Sequence, residues 1–178
     1  NMSKERHKYD IHFQGLENKQ YEFEFEGSDK FFAEFEQDII TKGNFRANII
    51  LDKSSTMMQL AITISGSIEL TCDRSLEQFD EPLNVKQKYI YKFGDRHEEL
   101  SDEIEIIPFG TATINLMHHL YDFIMLTVPM KKLHPRFRDE EEDYIYTLDG
   151  DEIEDDEVSE DETPIDPRWA ALKGIKLD

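Results

Sequence analysis

The sequence has little of what disulfide bonding, export or membrane insertion requires. Cys72 is the only cysteine, which excludes an internal disulfide and fits a reducing compartment. Residues 2–8 lack the apolar stretch of a signal peptide. The apolar run at 123–130 is far shorter than the ~18 residues that suggest a membrane span. These absences predict a cytoplasmic protein that has no membrane partner.

Catalytic motifs are also lacking. The sequence contains no phosphate loop, dinucleotide fingerprint, nucleophile elbow or paired-histidine metalloprotease motif. His118 and His119 are neighbours on a predicted helix, and because successive helical side chains point about 100° apart, they do not converge on one ion. We therefore expect no enzyme activity, no cofactor and no small-molecule substrate.

Apolar residues are scarce for a globular chain. Hydrophobic residues make up 38% of the 178 positions and charged residues 34%, against the usual ~45–50% and ~25%. The length suits one domain with an extension. The low apolar content predicts that part of the chain lies outside any core.

Positive charge is missing from one segment. Residues 139–162 hold 15 carboxylates and no Lys or Arg, and the rest of the chain has 25 acidic and 20 basic residues, so most of the net charge of -20 is local. Such a run is predicted to be disordered in isolation. It either attracts basic proteins and repels naked nucleic acid, or it is merely a solubilising tail with no partner. The predicted organisation is a folded α+β domain at 1–138, an acidic linker at 139–162 and a short C-terminal helix at 163–178.

Strand patterns are what the first half of the chain does contain. Alternation at 9–13 and 21–26 predicts a hairpin with one buried face, followed by a short helix. Apolar and β-branched residues at 45–51 and 57–71 predict a second, longer hairpin. Gly66 interrupts the alternation of the last strand, which predicts a bend there.

The second half mixes strands and helices. We expect a strand at 82–93, a polar loop, and a short strand at 104–108. Thr113 is placed to cap a helix at 114–127, whose apolar residues recur at helical spacing. The predicted fold class is α+β, with a mainly antiparallel sheet or partly open barrel and two or three helices.

Three motifs carry a resemblance to a known family. They are CDRSLEQF at 72–79, LTVPMKKLH at 126–134 and DPRWAALK at 166–173, with an acidic-rich loop after the first. In this order they resemble the YceD family, whose pattern is Cys-x-Arg-Cys-Leu-x-x-Phe after a strand and an Asp/Asn-Pro helix at the end. The resemblance implies a role in ribosome assembly. Bacterial members are linked to accumulation of large-subunit ribosomal RNA and are often encoded beside a small zinc-ribbon ribosomal protein.

The cysteine motif is degenerate in this chain. Ser75 stands where many members have a second cysteine, and no further cysteine follows His134. A structural zinc ion needs four Cys or His ligands, and Cys72 with His134 supplies two at most. We therefore expect no metal, with hydrogen bonds from Ser75 in place of the missing ligand.

Two hypotheses about partners follow from the resemblance and the charge pattern. In the first, the folded domain docks on a large-subunit ribosomal RNA precursor or ribosomal protein. In the second, the chain is an acidic adaptor or chaperone for a basic ribosomal protein and does not contact RNA. Because the domain lacks a basic excess, any RNA contact requires a local patch. The candidate binding residues are Arg74, Lys86, Lys88, Lys92, Lys131, Lys132, Arg136, Arg138 and Trp169. For Lys86, Lys88 and Lys92 the alternative is a solvated strand face, and for Arg74 it is a salt bridge to a carboxylate at the edge of the core.

Overall fold

A computed structural model of the protein describes residues 4–138, which form three complete helices, eight strands and a further helical segment at 135–138. The predicted acidic linker and C-terminal helix lie outside the described residues. No helix in the described part is long and apolar enough to cross a membrane. In chain order the elements are α1 (Lys4–His7), β1 (Asp10–His12), β2 (Gln20–Gly27), α2 (Asp29–Ala33), β3 (Gly43–Lys53), β4 (Met57–Thr71), β5 (Gln78–Gly94), β6 (Glu98–Ser101), β7 (Ile104–Pro108), β8 (Thr113–Asn115) and α3 (Met117–Thr127).

Six of the strands form one sheet in the order β2-β3-β4-β5-β7-β6. Every neighbouring pair is antiparallel except β5 and β7, which run parallel. The order begins at β2 and ends at β6, so within the described residues the sheet stays open. This confirms the predicted α+β class and selects the sheet over the barrel.

Alternation along the strands gives the sheet one buried face. On β4 the alternating apolar residues are all buried, and each such aliphatic side chain contributes roughly 1.5–3 kcal/mol. They are Leu60, Ile62, Ile64, Ile68 and Leu70, the residues predicted to face inward. Helix α2 packs Phe31 on Phe45 of β3 with ring centroids 4.7 Å apart. Helix α3 packs His119 on Tyr89 of β5 with centroids 4.2 Å apart. The core therefore lies between the sheet and these helices, and the opposite sheet face is open.

The predicted hairpin of 9–13 with 21–26 is wrong, because each strand has another partner. β1 pairs with β8 in a separate two-stranded sheet, where Ile11 lies opposite Ile114. β2 instead forms the edge of the main sheet, with Phe23 opposite Ile49 of β3. Alternation specifies which face of a strand is buried and carries no information about its partner.

The predicted start of the long helix is also wrong, although its end at Thr127 is confirmed. Residues Thr113–Asn115 form β8, and the helix begins at Met117. The β-strand pairing with β1 takes the backbone groups that a helix start would use. Asn115 accepts the Met117 N–H through Oδ1 at 3.1 Å, which satisfies one donor of the first turn.

The polar loop after β5 contains a strand that sequence patterning did not predict. β6 is exposed at all four residues and pairs with β7 at the edge of the sheet. Because neither of its faces is buried, it has no hydrophobic alternation to detect.

Candidate partner-binding surfaces

The cysteine motif forms a closed turn directly after β4. The Cys72 N–H donates to the Glu77 carbonyl at 2.7 Å, and the Leu76 N–H donates to the Cys72 carbonyl at 2.9 Å. Leu76 adopts a φ of +60°, which is unfavourable for a branched side chain, and is 75% exposed. The turn therefore presents an apolar side chain to solvent at its tip.

The Cys72 thiol is buried inside this turn, and its sulfur accepts the Ser75 N–H at 3.5 Å. Burial raises the pKa of the thiol. Hydrogen bonds from the Ser75 side chain and from the backbone of His134, Ser75 and Arg74 outweigh burial and lower the pKa to about 7. Donors that stabilise the thiolate thus surround the sulfur.

The residues at this turn do not fit a zinc ion. Among residues 4–138, no three His, Cys, Asp or Glu side chains converge as metal ligands. The Nδ1 atom of His134 accepts the Arg136 N–H at 3.2 Å, and its ring packs on Phe79 with centroids 5.8 Å apart. Hydrogen bonding and ring packing therefore connect the groups that remain at the degenerate motif.

A basic segment at residues 131–138, which we call the strap, lies across this turn and is hydrogen-bonded to it. The Asp73 N–H donates to the Lys132 carbonyl at 2.7 Å, and the Lys132 N–H donates to the Asp73 carboxylate at 2.8 Å. Leu133, the next residue of the segment, is buried in the core. Two of the motifs that carry the family resemblance, which are far apart in the sequence, are thus neighbours in space.

An arginine cluster, which consists of Arg74, Arg136 and Arg138, lies at the C-terminal end of the strap. The guanidinium carbons of Arg74 and Arg136 lie 4.6 Å and 4.7 Å from the centre of the Phe137 ring, within cation–π range. Arg136 also donates to Glu77 at 2.7 Å, and Arg138 pairs with Glu81. The arginines are therefore held in place, and carboxylates partly neutralise Arg136 and Arg138.

The three lysines of β5 belong to a different surface. Lys86, Lys88 and Lys92 are exposed on the open face of the sheet, where alternate residues of a strand are ~6.8 Å apart. No ion pair within the described chain engages them. We call these three residues the lysine row.

The rest of the open face has small side chains and charges of both signs. Next to the lysine row, β4 presents small residues such as Ala61 and Thr63, which pair with Lys88 and Lys86. At the β2 edge, Glu24 and Glu26 each lie 2.9 Å from the Arg46 guanidinium. Counting only residues 4–138, the positive charge of this face that makes no ion pair is therefore concentrated on β5.

Sequence reasoning missed a polar cluster on the buried side of the sheet. Glu105 is only 6% exposed and accepts hydrogen bonds from His97 at 2.7 Å, from His119 at 3.2 Å and from the Tyr89 hydroxyl at 3.2 Å. Burial raises the pKa of Glu105, but the bonds from His119 and His97 outweigh it and hold the pKa below its usual value. The sequence feature that could have identified this cluster is an acidic residue, Glu105, within the otherwise apolar strand at 104–107.

The two adjacent histidines of α3 point apart, as predicted. His118 lies 3.4 Å from Asp122 on the exposed side of the helix, whereas His119 turns inward to Glu105. The remaining candidate, Trp169, lies outside the described residues.

These features define a class of protein: an α+β domain with an open sheet, a cysteine turn that connects its two longest strands, β4 and β5, and a basic strap across that turn. The chain belongs to the YceD family. The family model, described as large ribosomal RNA subunit accumulation protein YceD, matches residues 60–176, from within β4 to near the end of the sequence. No curated protein and no solved structure matches the chain. The family description supports a role in accumulation of large-subunit ribosomal RNA and describes no enzyme.

Proposed function

We propose that this protein is a non-enzymatic, cytoplasmic factor in biogenesis of the large ribosomal subunit. It supports ribosomal RNA accumulation by binding a component of the precursor subunit, and it uses no cofactor. The observation that carries this proposal is the lysine row, an exposed set of cations with no carboxylate partner in the described chain, inside the region that matches the family.

The chemistry of the lysine row suits phosphate better than a base edge. Ammonium groups act as point charges, and each phosphate contact releases counterions from the nucleic acid. Three such contacts give a slope of roughly -2 in a plot of log affinity against log salt for a single strand. Small neighbours such as Ala61 and Thr63 leave room for a sugar-phosphate backbone to lie on the sheet.

The arginine cluster supplies a second kind of contact. A guanidinium plane can stack on an unpaired RNA base while it donates to phosphate. The cation–π contacts of Arg74 and Arg136 with Phe137 restrain both side chains before a partner arrives, which reduces the entropy lost on binding. Lys131 and Lys132 extend the positive charge along the strap.

The lysine row is tested by removing its charge in the full chain. We expect Lys86→Ala, Lys88→Ala and Lys92→Ala together to weaken binding of labelled large-subunit ribosomal RNA fragments by roughly tenfold or more. The salt slope should become less negative by about 2. Fluorescence anisotropy at several salt concentrations measures both quantities.

The matched control removes three exposed lysines elsewhere: Lys4→Ala, Lys30→Ala and Lys42→Ala. The net charge of this variant equals that of the lysine-row variant, so a general charge effect would weaken both equally. Equal RNA affinity of the two variants would contradict a role for the lysine row.

The adaptor hypothesis is retained as a second candidate because of one observation, the 15 carboxylates at 139–162. A segment of this composition attracts basic proteins at long range and repels RNA. Under this alternative a basic ribosomal protein is the direct partner, and the lysine row is a solvated face.

A further inference from the structure

A cleft lies on the buried side of the sheet, between α3 and the edge strand β6. Its volume is about 450 Å³, within the range of ligand-binding pockets. Side chains of β5, β6, the following turn and α3 form its walls. The lining residues are Tyr89, Glu99, Ser101, Asp102, His118, His119, Asp122, Phe123, Met125 and Leu126.

The charge of this cleft is negative and largely uncompensated. Glu99, Asp102 and Asp122 line it, whereas no Lys or Arg does. Glu99 and Asp102 make no ion pair within the described residues. Besides burial and Glu105, these two carboxylates raise the pKa of the Tyr89 hydroxyl, so their field reaches the floor of the cleft.

The floor is aromatic and rigid. The ring centroid of His119 lies 4.2 Å from that of Tyr89 and 6.2 Å from that of Phe123, and the Tyr89 and Phe123 centroids are 6.3 Å apart, so the three rings form one cluster. Hydrogen bonds from Tyr89 and His119 to the buried Glu105 fix both rings. Such a cluster presents π-faces and a negative potential to an entering cation.

One wall of the cleft is apolar and exposed. Leu126 points into solvent with 78% of its surface accessible, although it lies on α3 beside the half-buried Met125. An aliphatic stem can pack on this wall while its charged end reaches the carboxylates. Both halves of a long cationic side chain therefore find a matching surface.

We propose that this cleft binds an arginine side chain presented by a basic segment of a partner protein. A guanidinium satisfies Glu99 and Asp102 with paired hydrogen bonds and stacks on the aromatic floor. A phosphate would be repelled by the same carboxylates, so nucleic acid does not fit. The cleft and the lysine row lie on opposite sides of the sheet and take opposite charges, so this site goes beyond the RNA contact proposed above.

The test uses the full ¹⁵N-labelled chain and a pentapeptide, acetyl-Gly-Gly-Arg-Gly-Gly-amide. We expect saturable shifts of the amide signals of residues 99–102 and 118–126. The same peptide with citrulline, which is neutral and similar in shape, should shift them little. The double variant Glu99→Gln and Asp102→Asn should weaken the arginine peptide by about tenfold or more.

The control variant Glu36→Gln and Asp38→Asn removes the same charge from an exposed loop and should bind the peptide as the unmodified chain does. Thermal melting of both variants verifies that they remain folded. Equal shifts with arginine and citrulline, shifts confined to 139–162, or full affinity in the Glu99/Asp102 variant would each overturn the proposal. These outcomes leave the RNA measurements on the lysine row unaffected, so the two proposals fail independently.

Discussion

At the scale of single residues, Glu105 connects three parts of the fold. It sits on β7 and receives hydrogen bonds from β5, from α3 and from the turn before β6. A buried carboxylate without partners would cost several kcal/mol, whereas three donors make its ionised form favourable. Glu105 thus positions the floor of the cleft that Glu99, Asp102 and Asp122 line, which we call the acidic cleft, and it also connects the edge of the sheet to α3.

We expect Glu105→Gln to lower the free energy of unfolding at pH 7 by about 1–3 kcal/mol, because an amide cannot accept from all three donors. The pKa of Glu105 is lowered in the folded protein. Its contribution is therefore complete above the unfolded pKa, about 4.3, and is lost as the pH falls through the lower folded pKa.

Urea unfolding at pH 7 and at decreasing pH measures this effect. The difference between the variant and the unmodified chain should narrow below about pH 4. Glu36→Gln, at an exposed position, serves as the control and should change stability little. A difference that stays constant down to pH 3 would show that Glu105 does not act through its charge.

At this scale, the sequence grouped residues that the structure brings together at the cysteine turn, and it grouped none of those that line the acidic cleft. Cys72, Ser75 and His134 were grouped by family resemblance, and the structure brings their atoms together through hydrogen bonds to the sulfur. Glu99 and Asp102 carried no signal, because isolated acidic residues in a polar stretch are typical of any surface. Only the pairing of β6 with β7 gives them a common location.

At the scale of elements, the long hairpin of β3 and β4 depends on Gly66. The φ of Gly66 is +151°, and a Cβ there would lie 2.2 Å from the Asn44 carbonyl oxygen and 2.7 Å from the Phe45 Cα. Both contacts are with the backbone of the neighbouring strand, which cannot move without breaking the ladder. Glycine is required for this close approach.

Gly66→Ala should therefore destabilise the protein by more than the ~1–3 kcal/mol typical of backbone strain alone. Gly15→Ala is the matched control, because Gly15 also has a positive φ, +85°, but nothing lies within 4 Å of its added Cβ. Thermal or urea unfolding of both variants measures the difference. Similar losses in the two variants would mean that the clash with β3 is relieved at little cost.

The pairing of strands that a short turn connects could be predicted from the sequence, whereas the pairing of strands far apart in the chain could not. The β3–β4 hairpin has a short polar turn and strong alternation on both strands, so its pairing follows from local sequence. β1 pairs with β8 about a hundred residues later, as Ile11 with Ile114. A three-residue strand has too little pattern to specify a distant partner, which is why the helix start at Met117 was also misplaced.

At the scale of the whole molecule, surfaces of opposite charge are proposed to bind two different partners. In these proposals the lysine row and the arginine cluster bind an anion, whereas the acidic cleft binds a cation and the 15 carboxylates in the sequence 139–162 attract one. Precursor ribosomal particles contain RNA phosphates and basic proteins, so both kinds of surface are complementary to one assembly. The strongly acidic segment nevertheless opposes RNA binding at long range when salt is low.

The whole-molecule prediction follows from this opposition. A variant in which all 15 carboxylates of 139–162 become their amides keeps the chain length and removes the repulsion. If the chain binds RNA directly, the variant should bind ribosomal RNA fragments several-fold more tightly at low salt. The gain in affinity should disappear as the Debye length falls toward ~3 Å near 1 M salt.

If the chain is instead an adaptor, neither form should bind RNA, and the variant should lose salt-sensitive binding to a basic large-subunit ribosomal protein. Anisotropy titrations of both forms with RNA and with that protein therefore separate the two functions.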